Sequence, residues 1–135
     1  MKHQSMPKFM LVFLFLIGWM AIPSEVKAQE VHEKVDQMPI PPGEMDGWIK
    51  HLTENLKYPQ AAKIAKTEGM VYLTFIVKED GTVSEVEILR GIGAGCDEEA
   101  KRVVEISPKW TPGKIAGKAV TTRMRLPITF KLAKS

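Results

Sequence analysis

Few residues in this chain are equipped for chemistry. They are one cysteine, Cys96, three histidines, His3, His32 and His51, and the adjacent carboxylates Glu98 and Glu99 beside a glycine-rich stretch at 91–95. A cysteine nucleophile acts as its thiolate and needs a neighbouring histidine or an electropositive setting. Cys96 is followed by Asp97, Glu98 and Glu99, whose charge opposes ionisation, so it reads as a small buried hydrophobe at the base of a helix. Glu98 and Glu99 are consecutive, and consecutive helical side chains do not face each other as an acid–base pair. Gly91-Ile92-Gly93-Ala94-Gly95 has the glycine content of a phosphate cradle but lacks the Lys-Ser/Thr that must follow. His51 falls among charged residues on the solvent side of a helix, His32 in a polar leader, and His3 near the N-terminus. No ligand set therefore converges for a metal, and a single cysteine forms no internal disulfide. The expectation is a protein that is not an enzyme, with no catalytic residue, no cofactor and no metal.

The N-terminus bears on the compartment. Lys2 and Lys8 precede an uncharged run, 9–22, that stops at Pro23, and Val26-Lys27-Ala28 places a small residue before Gln29. A charged start, a short apolar middle and a small-residue exit form the pattern of a secretory signal peptide. A spanning helix uses ~20 apolar residues, more than this run supplies. Segment 1–28 is expected to be cleaved, leaving a periplasmic protein; the alternative is a short anchor retained in the inner membrane. The chain carries 19 basic and 16 acidic side chains, a net charge of +3. Lys2, Lys8 and Lys27 depart with the signal segment, against only Glu25, so the remainder is close to neutral. It lacks the clustered excess charge that nucleic acid requires.

The rest is one domain's worth of chain. Residues 29–43 read as a polar linker ending in Pro39-Ile40-Pro41-Pro42-Gly43, and 44–135 as the folded domain. Met45, Trp48, Ile49, Leu52 and Leu56 make an amphipathic helical stripe that Pro59 ends at Tyr58. Pro59 also opens a short helix over 60–67, with Gly69 placed to stop it. Val71, Leu73, Phe75 and Val77 form the inner face of a strand over 70–78, with Tyr72 and Ile76 on its other face. Asp80-Gly81 supplies a hairpin turn through two residues that tolerate positive φ. The return strand, 82–90, needs a bulge near Ser84-Glu85 to turn Val83, Val86 and Ile88 to one side. After the flexible glycine loop, Asp97 caps a helix over 97–106 whose inner face is Ala100, Val103, Val104 and Ser107. Trp48 belongs to the core; Trp110 covers the sheet end or contributes to an aromatic ligand surface. From 120 to 132 every even residue but Thr122 is apolar, while Thr121, Arg123, Arg125, Pro127, Thr129 and Lys131 fill the odd positions. Strict alternation puts one face on a core and one in water. The fold class is α+β: two layers, with a three-stranded antiparallel sheet packed against helices.

Pro127 makes the last strand informative. Proline has no N–H to pair, so its side of the ribbon is a sheet edge. In a regular register the odd residues then aim their backbone groups at that edge. Arg123, Arg125 and Lys131 either guard it against aggregation or favour an acidic peptide that adds as a further strand.

Tyr58-Pro59, Ala62, Glu68-Gly69, Val71, Phe75, Val77, Asp80-Gly81, Val83, Ala100, Trp110, Pro112, Gly117, Val120 and Pro127-Ile128-Thr129-Phe130, in this order, resemble the signature of the TonB C-terminal domain. The lead-in over 38–57 and Gly95-Cys96-Asp97-Glu98-Glu99-Ala100 are similar to TonB-like proteins of the Bacteroidetes type. The resemblance implies a domain that binds the TonB box of an outer-membrane transporter by strand addition at its last strand, within energy-coupled transport. It carries over the edge residues Thr121, Arg123, Arg125, Pro127 and Thr129, and the approach segment Tyr58-Pro59. ExbB and ExbD enter as partners if the N-terminus stays anchored; no small-molecule substrate is implied. Family members have a retained anchor with polar residues and a long Pro-rich spacer; here the apolar run has no internal Ser or His, its flanks look cleavable, and the Pro segment is only Pro39 to Pro42. A scaffold or regulatory module that binds another envelope protein through the same edge is the alternative. The processing expectation has a direct check: intact mass of the exported protein should show a chain beginning near Gln29, and a membrane-bound species retaining Met1 would overturn it.

Overall fold

The computed structural model describes residues 30–133; the expected signal segment lies outside them. The element order is α1 (Glu44–Asn55), α2 (Gln60–Ala65), β1 (Gly69–Val77), β2 (Val83–Arg90), α3 (Cys96–Glu105), β3 (Gly113–Ile115), β4 (Lys118–Val120) and β5 (Thr122–Phe130). The main sheet is antiparallel, ordered β2-β1-β5, and the helices cover one face, giving the α+β class. β3 and β4 form a separate two-stranded ribbon.

Period-2 patterning accounts for the sheet. Val71, Leu73, Phe75 and Val77 of β1 are fully buried, and Ile128 and Phe130 of β5 join them on the helix-covered face. Nine consecutive pairs, from Gly69 opposite Phe130 to Val77 opposite Thr122, join β1 to β5 without a register shift. β1 and β2 pair less regularly. Between Thr74 and Ile76 the register jumps from Glu87 to Ser84, and Glu85 sits at φ 48°, so the bulge lies where the pattern of Val83, Val86 and Ile88 requires one. Val86 is buried, and Val83 and Ile88 pack partly buried against the core.

Several local expectations are corrected. Gly81 alone has positive φ in the hairpin; its N–H donates to the Lys78 carbonyl, and the Lys78 N–H donates to Thr82. This is a three-residue connection with a left-handed glycine, rather than a two-residue turn using both Asp80 and Gly81. Asp80 instead accepts a hydrogen bond from the Thr82 N–H at 2.9 Å. α2 ends earlier than its glycine suggested, with Lys66 at φ 56° as the left-handed residue, and Gly69 opens β1. Asp97 does not cap α3; Gly95 does. The Asp97 carboxylate accepts from the Ile92 and Gly93 N–H groups and so ties down the glycine loop. Val120, the first residue of the alternating run, lies in β4, because Ala116 and Gly117 at positive φ turn the chain back before β5 begins.

Trp110 joins the layers. Its ring stands edge-on to Phe75 at 5.2 Å and to Trp48 at 5.4 Å, so both tryptophans are core residues. Its backbone N–H donates to the Gly81 carbonyl at 2.9 Å. A Cβ on Gly81 would lie 2.1 Å from the Trp110 carbonyl oxygen. Gly81→Ala should therefore destabilise the domain by more than the ~1–2 kcal/mol that a left-handed backbone costs an ordinary residue. A denaturant titration measures this, and a midpoint equal to the parent's would contradict it.

Candidate functional site

The β1–β5 ladder sets which backbone groups of β5 face outward. Pro127 pairs with Tyr72, so its nitrogen points away from β1. The direction is visible directly one end along, where the Arg123 N–H donates outward to the His32 carbonyl at 3.0 Å. Successive strand residues alternate, so Arg125, Pro127 and Thr129 point the same way as Arg123. Among the described residues, the outward backbone groups of Arg125 and Thr129 have no hydrogen-bond partner. The Arg125 side chain is exposed and makes no ion pair among those residues.

The first stretch of the edge is occupied by the chain itself. Residues 30–43, read above as a linker, run against the domain. The His32 N–H donates to the Thr121 carbonyl at 2.9 Å, making with Arg123 a parallel bridge. Further along, the backbone of Gln37 pairs with Lys114 of β3 and that of Ile40 with Thr111. Glu33 lies 3.7 Å from the Arg123 guanidinium. The leader then diverges from β5, leaving a gap walled by Glu33, Lys34, Met38, Arg123 and Arg125. The Thr121 side chain is buried, and its carbonyl is already held by His32.

Tyr58 and Pro59 stand apart from that end. The Tyr58 ring packs edge-on against Phe130 at 5.6 Å, at the far end of β5, and its hydroxyl donates to the Thr67 carbonyl. Burial, then the nearby Cys96 and Glu68, raise its phenol pKa. Pro59 precedes α2 as its N-cap. These two residues join the helices to the end of the sheet; they do not meet Arg123 along the edge.

A feature missing from the sequence reading lies beside the open part of the edge. α1 overhangs β5, and Met45, Trp48, Leu52 and Leu56 face Pro127 and Thr129 across a groove of about 550 Å³. Met45 is 63% exposed although it lies on the apolar stripe of its helix. That mismatch between stripe and burial appears only once the sheet is placed.

The remaining candidates for chemistry serve the fold. His51 is half-buried rather than on the solvent side: its Nε2 bonds the Val103 carbonyl at 2.9 Å and its ring stacks on Trp48. Cys96 is fully buried, and burial pushes its thiol pKa up, with the charges of Asp97 and Glu98 adding to the effect. Glu99 accepts from Arg102 at 2.8 Å and from the Lys57 N–H at 2.7 Å, while Arg102 donates to the last-turn carbonyl of Asn55. The hydrogen bond from Arg102 holds the Glu99 carboxyl below the usual carboxylate range, and the group of contacts joins α1 to α3. Among the described residues no cluster of His, Cys, Asp and Glu gathers as for a metal ion, and no helix is long and apolar enough to cross a membrane.

Helices on one face of an antiparallel sheet with an exposed last strand are the architecture of a small two-layer α+β domain. Residues 54–132 match the sequence model of the Gram-negative bacterial TonB protein C-terminal domain, and the chain belongs to that family. The family is associated with TonB-dependent transport: its domains are periplasmic, non-enzymatic modules that interact with TonB-dependent outer-membrane transporters. Two NMR solution structures of the Helicobacter pylori TonB C-terminal domain are similar to the chain. One shares 19% identity at a TM-score of 0.49, covering 70% of this chain and 89% of that one. The other shares 20% at 0.46, covering 67% and 96%. No curated protein matches the chain.

The leader contact is testable on its own. His32→Pro deletes the donor to Thr121 and should raise amide exchange at Arg123 roughly tenfold, about the worth of one hydrogen bond, with the β1 amides unchanged. Unaltered exchange at Arg123 would show that His32 does not cover this edge in solution.

Proposed function

We propose that this chain is a periplasmic binding module that takes the TonB box of an outer-membrane transporter as an added strand on the outer edge of β5. The observation that supports it most is the one-sided edge. Pro127 and the outward N–H of Arg123 fix its direction, and Arg125 and Thr129 are open beside them. Backbone groups left unpaired along a strand are a template for another chain, and pairing through them supplies affinity with modest dependence on the partner's side chains. Arg123 and Arg125 add attraction for acidic residues, screened by salt. The proposed site is Arg125, Pro127 and Thr129, extended to Thr121 and Arg123 when the leader gives way, with Tyr58 and Pro59 holding the far end of the strand in place. The signal-like N-terminus supports a cleaved, soluble form that binds; coupling to ExbB and ExbD would require the same segment to stay in the membrane.

Arg125→Pro tests the edge. The substitution removes an outward N–H and none from the β1 ladder. Titration with a TonB-box peptide should show affinity reduced by roughly tenfold, on the scale of a lost hydrogen bond plus local strain, while thermal unfolding stays cooperative. Unchanged affinity in a folded variant would place the peptide elsewhere.

A further inference from the structure

We propose that the groove between α1 and the β5 edge receives every second side chain of the added strand, so that the segment bound here alternates apolar and acidic residues. The inference rests on the strand-addition reading and specifies the chemistry of the partner. A strand added beside β5 continues the pleat of the sheet, and its side chains alternate between the two faces. On the helix-covered face it meets Leu126 of β5 and, overhead, Met45, Trp48 and Leu52 of α1. This wall is apolar, and Met45 is largely uncovered in the free domain. A side chain entering from an added strand removes that surface from water, the main source of favourable free energy in such contacts. On the opposite face the neighbours are the side chains of Arg123, Arg125, Pro127 and Thr129, and the two arginines carry the charge. Of these, Arg123 is already near Glu33, whereas Arg125 is unpaired among the described residues. Opposite charges side by side on neighbouring strands attract, and like charges repel.

The floor of the groove decides what kind of occupant fits. It borders the strand edge at Pro127 and Thr129, where the outward backbone groups of Arg125 and Thr129 are unpaired among the described residues; an extended backbone satisfies such groups and a helix, whose own groups are paired internally, does not. An apolar wall above and cationic side chains below then select an amphipathic strand. The leader already shows the acidic half of this preference in cis, since Glu33 approaches Arg123 as soon as His32 has paired with the edge.

The test uses the full chain and two synthetic peptides, one of alternating Val and Glu and one of alternating Thr and Glu, with binding followed by calorimetry and by amide exchange at Arg125 and Thr129. The Val-Glu peptide should bind roughly five- to tenfold tighter, the scale of partial burial of apolar side chains. Met45→Ser, at an exposed position that leaves the core intact, should remove most of that difference; Leu89→Ser, on the opposite face, should not. Equal binding of the two peptides, with protection at Arg125 and Thr129, would overturn the groove while leaving strand addition standing. A preference abolished by Leu89→Ser and not by Met45→Ser would overturn it too, by placing the apolar side chains on the wrong face. Absence of protection at the edge with either peptide would remove the strand-addition reading itself. Sedimentation of the protein alone completes the set: a dimer dissociated by Met45→Ser would make a second copy of the chain the occupant and overturn the proposal.

Discussion

The unshifted ladder between β1 and β5 is the constraint on which the rest of the molecule depends. It commits the even residues of β5 to the core and the odd ones to the other face, and a slip of one residue would exchange the two sets. Ile128 and Phe130 would go to water and the Arg123 and Arg125 side chains to the core, a loss of buried apolar surface joined to burial of unpaired charge. Pro127 reinforces the same register from the backbone. With its nitrogen turned toward β1 it would break the ladder, so the only arrangement compatible with nine continuous pairs leaves the proline side unpaired. The hydrophobic pattern and the missing N–H thus agree, and their agreement makes β5 an edge.

An edge is a hazard as well as a site, and this chain deals with its edge unevenly along its length. The beginning is covered by His32 and shielded by the Glu33–Arg123 approach; the middle is interrupted by Pro127; Arg125 supplies an exposed charge. What stays open is short, and it lies beneath α1. The helix is held above it by contacts deeper in the domain: Trp48 against Trp110, His51 on the Val103 carbonyl, and Arg102 on the Asn55 carbonyl. Residues that looked like candidates for chemistry are therefore the ones that fix the height of the groove wall. His51 and Glu99 shape the groove without lining it.

Much of this was legible in the sequence because the signals were local and repeated. Alternation gave β1 and β5, the stripe ended by Pro59 gave α1, and the conflict of parity among Val83, Val86 and Ile88 required the bulge that Glu85 supplies. The direction of the edge followed from one proline. What escaped the sequence depended on contacts between distant segments. Nothing within 29–43 announces pairing with β3 and β5, since a polar, proline-rich stretch has the composition of a linker whether or not its backbone finds partners. The β3–β4 ribbon was hidden because Val120 continues the parity of β5 across the turn. Asp97 had the right type for a helix cap, and the glycine loop competed successfully for its carboxylate. The groove was invisible for the same reason: Met45 is apolar in the sequence, and only the placement of β5 shows that it remains uncovered.

The central claim, that a partner strand adds to the outer edge of β5, is tested most directly by cross-strand NMR contacts in the complex of the labelled domain with a TonB-box peptide. The account predicts peptide backbone protons close to those of Arg125 and Thr129, in the spacing of a β-ladder, with the existing β1–β5 contacts unchanged. A bound peptide whose contacts lie elsewhere, with none along β5, would contradict it.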